Sequence, residues 1–179
     1  MNKENGNIIL IGFMGSGKTT FGKWISEKHG MKFIDTDEYI ENKQGRLIKD
    51  IFRESGEEVF RDMETAAVRE LIDNTTNTVV SVGGGLPLRE INRKLLRQLG
   101  CVVFLDTSVD ELVRRLDKDT SRPLLAGGDV RQKIESLMQA RMEYYKEAAD
   151  LIVTTTNNSF IDMYNTIVSA INMNLTGED

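Results

Sequence analysis

Short apolar runs alternate with longer stretches of helical periodicity along most of this chain. Residues 7–11 predict a first strand. Residues 17–28 predict a helix, with Phe21, Trp24 and Ile25 at the spacing of a core-facing stripe. A short second strand is expected over 32–35. Helices follow over 38–43, 48–54 and 57–73, broken near Gly45 and Gly56. Further strands are expected over 78–82, 101–105 and 151–154, and further helices over 88–99, 109–116, 130–148 and 160–172. Residues 118–129 carry no periodicity. Strands separated by helices imply right-handed crossovers and a parallel sheet covered on both faces. The pattern therefore predicts a three-layer α/β/α fold with about five parallel strands. In such sheets ligands bind beyond the carboxyl ends of the strands, so the residues just after each strand carry the functional interest.

Composition narrows the classes. At 179 residues, 40% hydrophobic and 28% charged, the chain fits one domain, and folding buries roughly 70% of its unfolded surface. A net charge of −5 argues against a general nucleic-acid binder. No apolar stretch approaches the ~20 residues that span a bilayer, so no membrane partner is expected. The run of residues 8–11 is too short for a signal peptide and follows no basic segment. A single cysteine, Cys101, cannot form an internal disulfide, which suits a reducing, cytoplasmic setting. Cys101 opens an apolar run and reads as a buried strand residue rather than a reactive thiol. His29, the one histidine, precedes Gly30 at a helix end, where its charge suits the dipole better than catalysis. Zinc-type spacings of Cys and His are absent.

The most specific signal is Gly12-Phe13-Met14-Gly15-Ser16-Gly17-Lys18-Thr19, a complete Gly-x4-Gly-Lys-Ser/Thr motif between a strand and a helix. Its glycines let successive amide groups point inward as an anion nest, and the following helix adds its positive end. Lys18 can reach the outer phosphates of a nucleotide, and the Thr19 hydroxyl can ligate Mg2+. The second strand ends in Asp35-Thr36-Asp37. These carboxylates suit a metal-bound water and a substrate hydroxyl. They also suit capping of the next helix.

Other features depend more on context. Arg61 with Glu64, and Arg141 with Tyr145, share helix faces. They make a carboxylate clamp only if both arginines face one pocket, and are otherwise solvated charges. Gly83-Gly84-Gly85 after the third strand suits either backbone approach to a ligand or a tight turn before Pro87. The aperiodic stretch, with Pro123 on one side and Gly127-Gly128 on the other, suits a lid whose Arg122 swings over phosphates, or a plain surface loop. Arg115 can flank a nucleotide base or lie on the surface.

Together these motifs resemble the shikimate kinase family, over residues 8–145. The likeness rests on the phosphate loop, Asp35-Thr36-Asp37, Asp50-Ile51-Phe52, residues 56–64 with Phe60-Arg61, Gly83-Gly84-Gly85, Arg122-Pro123-Leu124-Leu125, and Arg141 with Tyr145. The resemblance implies a P-loop NTPase fold of the nucleoside-monophosphate-kinase kind. It implies a substrate-binding helical region near 36–64 and a mobile lid near 118–129. It also implies transfer of the ATP γ-phosphate to the 3-hydroxyl of shikimate, with Mg2+ as cofactor. Lys18, Asp37 and Arg122 would then be catalytic. Gly15, Ser16, Gly17, Lys18, Thr19, Thr20, Arg115 and Arg122 would bind ATP, and Thr19 and Asp35 would serve the metal. Asp37, Phe52, Phe60, Arg61, Gly83, Gly84, Gly85 and Arg141 would bind shikimate. A monomer acting on small molecules is expected. The segment 154–159 lacks the proline often found near the adenine in this family, which leaves the residues that hold the base open. Rival readings are another small-metabolite P-loop kinase, such as a gluconate kinase, and a P-loop switch; a guanine-specific Asn-Lys-x-Asp segment is absent.

Overall fold

The computed structural model describes residues 5–116 and 129–176. Five strands, β1 (Ile8–Ile11), β2 (Lys32–Asp35), β3 (Thr78–Ser81), β4 (Cys101–Asp106) and β5 (Leu151–Thr154), form one sheet in the order β2-β3-β1-β4-β5. Every pairing is parallel. Ile8 of β1 stands opposite Val79 on one side and Cys101 on the other. All four residues of β1 are buried, because a central strand of a covered parallel sheet has no face left for water. Lys32 and Ile152, on the two edge strands, remain exposed.

The helices are α1 (Lys18–His29), α2 (Thr36–Gln44), α3 (Ile48–Asn74), α4 (Glu90–Leu99), α5 (Val109–Leu116), α6 (Val130–Ala148) and α7 (Phe160–Thr176). Alternation along β1 feeds two cores. Ile8 and Leu10 pack with Phe21 and Ile25 of α1 and with Met163 and Ile167 of α7. Ile9 and Ile11 pack with Val68 and Leu71 of α3, Leu95 and Leu99 of α4, and Tyr145 of α6. A third cluster joins Phe13 to α5 and α6, and a fourth joins Ile40 of α2 to Ile51 and Phe60 of α3.

Several boundaries differ from the sequence pattern for local reasons. Asn7 stands outside β1. Its buried side chain donates to the Thr75 and Leu99 carbonyls and accepts from the Thr78 N–H, tying the base of the sheet. The expected helix over 88–99 becomes a 3-10 turn, Leu86–Leu88, and then α4. Arg89 between them is extended, its guanidinium drawn to Glu58 and Asp62 of α3. The closing helix runs on to Thr176. The expected break at Gly56 appears as a kink inside α3, where φ is 83° and ψ 170°, a conformation essentially open to glycine alone. The kink separates the turns carrying Phe52 from those carrying Phe60, Arg61 and Glu64. Cys101 is buried in β4 as expected. His29 ends α1, with its ring stacked on Tyr164 of α7. Among the described residues no helix is long and apolar enough to cross a membrane.

Candidate active site

The loop after β1 lies between the loops that follow β3 and β4, because β1 is central in the sheet. A cleft of about 690 Å3 opens there. It is lined by the phosphate loop from Gly15 to Thr19, by Thr20, Asp35 and Asp37, by Ser81, Gly83 and Gly84, and by Arg115, Thr155, Asn158 and Phe160. Gly15 and Gly17 both carry positive φ, which turns the loop around its own interior. The Lys18 ammonium folds back on the Gly12 and Phe13 carbonyls at 2.9 and 3.0 Å. Anionic phosphate oxygens attract an ammonium more strongly than uncharged carbonyl oxygens do, so an arriving nucleotide would draw Lys18 outward. The Ser16 hydroxyl is buried, with no hydrogen-bond partner among the described residues. Buried polar groups are normally paired, so this donor suits an incoming anion.

Asp35 caps the next helix, as its position allowed, and also faces the phosphate loop. Its Oδ1 accepts from the Asp37 N–H at 3.0 Å and caps α2, so that the helix starts at Thr36 rather than at 38. Its Oδ2 accepts from the Thr19 hydroxyl at 2.9 Å. The Ser81 hydroxyl lies 3.5 Å from the same Thr19 oxygen. A hydroxyl and a carboxylate oxygen side by side are hard donors of the kind Mg2+ takes in small number, the rest coming from phosphate and water.

Asp37 stands at the far wall of this cleft. Gly83 packs so closely on it that a Cβ there would lie 2.7 Å from Asp37 Oδ1 and 3.0 Å from a Glu64 oxygen. The Gly83 N–H is held by the Thr36 hydroxyl at 3.0 Å. Glu64 is 1% exposed and accepts from Arg61 Nη1 at 2.7 Å. Burial pushes the Glu64 carboxyl up to about 7, with Arg61 opposing and the nearby Asp37 charge assisting the shift. Arg61 also gives its Nη2 to the exposed Glu57 at 2.7 Å. Its guanidinium lies against Gly85, where an added Cβ would sit 2.5 Å from it.

The expected acceptor residues thus divide. Asp37, Gly83 and Gly84 line the phosphate cleft. Arg61, Gly85, Phe60 and Arg141 form an adjoining corner outside that lining. The Tyr145 hydroxyl, which Arg141 approaches, sits on the Gly84 carbonyl, and Arg61 lies against the neighbouring Gly85, so the two arginines flank adjacent residues of the loop after β3. Phe60 is buried beside Arg61, and the half-exposed Phe52 packs on Phe60 with ring centroids 4.9 Å apart. Arg115 reaches the cleft by donating to the Gly15 carbonyl at 3.0 Å while pairing with Glu111. Arg122 and most of the expected lid at 118–129 lie outside the described residues. The motifs did not assign Ser81, Thr36 or Glu64 to the site, nor the wall formed by Thr155, Asn158 and Phe160. Ser81 and Thr155 carried one usable signal, a polar residue at the carboxyl end of a strand.

The family profile described as Shikimate kinase matches residues 14–172. The chain belongs to the shikimate kinase family. The shikimate kinase of Chromobacterium violaceum is 42% identical over 159 residues, 89% of this chain and 86% of that one. Among solved structures, the shikimate kinase from Acinetobacter baumannii in complex with shikimate is 38% identical, with a TM-score of 0.85. The match covers 94% of this chain and 93% of that one. As a shikimate kinase relative the chain is an ATP-dependent kinase acting on a hydroxyl group. The gluconate kinase alternative finds only a distant neighbour. A gluconokinase from Sinorhizobium meliloti, at 18% identity and a TM-score of 0.54, shares the fold alone.

Proposed function

We propose that this shikimate kinase relative transfers the γ-phosphate of ATP to the 3-hydroxyl of shikimate, giving shikimate 3-phosphate and ADP. One observation carries the reading. The phosphate loop and Asp37 share a single cleft, and the Arg61–Gly85 corner adjoins it through Glu64 and Gly83. The phosphates rest in the nest of residues 15–20, with Lys18 on the outer oxygens and the Ser16 hydroxyl inside. Asp37 accepts a hydrogen bond from the reacting hydroxyl and aims it in line with the phosphate. In this chemistry positioning and charge neutralisation supply most of the rate. Arg61, Arg141 and Gly85 receive the acceptor carboxylate, with the Phe60 and Phe52 rings on its apolar side. Thr19 and Asp35 would hold Mg2+, which when bound neutralises phosphate charge. The base sits at the other end of the cleft, between Arg115 and the wall of Thr155, Asn158 and Phe160. On the family pattern, Arg122, outside the described residues, is assigned to the phosphates. We take it to act as a monomer in the cytoplasm, where a single buried cysteine, with no second one to form an internal disulfide, is at home.

A coupled ADP-release assay over a panel of acceptors tests this. ADP should appear with shikimate and not with gluconate or nucleoside monophosphates. Equal turnover of gluconate, or release independent of any acceptor, overturns the reading.

A further inference from the structure

Tyr145 of α6 is fully buried, yet its ring carries a hydroxyl that must be satisfied there. The ring stacks on Phe104 of β4, with centroids 5.2 Å apart and planes 29° from parallel. The hydroxyl donates to the Gly84 carbonyl at 2.7 Å, across 61 residues of sequence. Arg141, one turn earlier on α6, approaches the same hydroxyl, and Arg61 of α3 lies near enough to act on it. A trans peptide points its C=O and its N–H in opposite directions. Holding the Gly84 carbonyl therefore turns the Gly85 N–H away from Tyr145. Among the described residues that N–H has no hydrogen-bond partner, and the Arg61 guanidinium lies against the same glycine.

We propose that Tyr145 is a positioning residue for the acceptor. Its hydroxyl fixes the Gly84–Gly85 peptide and steadies Arg141, so that the Gly85 N–H, Arg61 and Arg141 form one anion-binding corner. No motif assigns it this role. A phenylalanine would preserve the stacking and leave the peptide free to rotate. The proposal rests on the acceptor reading above, in which a carboxylate enters this corner.

The test compares wild type, Tyr145→Phe and Phe104→Leu on shikimate and on its analogue with a hydroxymethyl group in place of the carboxylate. Tyr145→Phe should raise the KM for shikimate about tenfold, the scale of one lost buried hydrogen bond. It should leave the KM for ATP within about twofold and shrink the preference for the carboxylated acceptor. Phe104→Leu should lower the melting temperature and keep that preference, since it loosens packing without touching the hydroxyl. An unchanged KM in Tyr145→Phe overturns the proposal. So does an equal rise for ATP and shikimate, or a loss of preference in Phe104→Leu matching that of Tyr145→Phe. A wild-type enzyme indifferent to the carboxylate sinks the acceptor reading itself, and the proposal with it.

Discussion

On the phosphate side of the cleft, the groups we assign to the nucleotide phosphates are consecutive residues, Gly15 to Thr20. On the acceptor side, Asp37 comes from α2, Arg61 and Glu64 from α3, Gly83 to Gly85 from the loop after β3, and Arg141 and Tyr145 from α6. The resting chemistry differs as well. Lys18 is parked on two neutral carbonyls. Arg61 already grips two carboxylates, one with its side chain 1% exposed and one 62% exposed. A locally built site is held in shape by its own backbone conformation. A site assembled from distant elements needs strong polar ties to stay in register. Here those ties are the Tyr145 hydroxyl on the Gly84 carbonyl and the Gly83 N–H on the Thr36 hydroxyl, whereas the Arg61 pairs with Glu64 and Glu57 lie within α3 and set the direction of the guanidinium.

Breaking the phosphate side should cost most. Lys18→Ala should lower kcat by about 10³-fold, the scale of losing one preorganised charge on the transferring phosphoryl group. The KM for shikimate should stay within about twofold, as steady-state ADP release would show. A loss under tenfold would mean that the loop amides suffice. Arg61→Ala should act on the other side alone. We expect a rise of about 10²-fold in the KM for shikimate, from two lost charge-assisted bonds, with the KM for ATP unchanged. A matching rise for ATP would merge two sites that we hold to be separate.

Glu64 sharpens the comparison through pH. Folded, it keeps its proton up to about 7, whereas an unfolded glutamate releases it near 4.5. Between these values the folded chain binds the extra proton, so stability falls as pH rises from about 4.5 to about 7. The loss is at most about 3 kcal/mol. Melting curves of Glu64→Gln should be flatter across that window, and a slope equal to that of wild type would remove Glu64 as its source. The smallest effect belongs to Glu57. An exposed helical ion pair is worth about 0.5 kcal/mol. Glu57→Gln should therefore lower the KM for shikimate about twofold by freeing Arg61 Nη2. An increase instead would make Glu57 part of the acceptor site.

Much of the frame was legible in the sequence. The unbroken apolar run of β1 announced a strand buried on both faces, and Gly56 announced the interruption in α3. The phosphate loop was legible because its function lies in local backbone geometry. For Asp35 the sequence allowed a cap or a metal-serving carboxylate, and only folding showed that one oxygen caps α2 while the other meets Thr19. Arg61 and Glu64 could be read as a helix-face pair. That Glu64 would be buried beside Asp37, and so hold its proton to about 7, could not be read from the spacing. The cleft wall of Thr155, Asn158 and Phe160 was hidden because that segment lacks the proline that would have marked it.

By itself, the sequence determined what short-range chemistry encodes: strands from apolar runs, helices from periodicity, and an anion nest from glycines at fixed intervals. The tertiary structure alone decided which charges are stripped of water and which groups from distant segments meet. Desolvation and close approach depend on what packs around a residue, and at Arg61, Glu64 and Tyr145 those neighbours come from other turns, strands and loops.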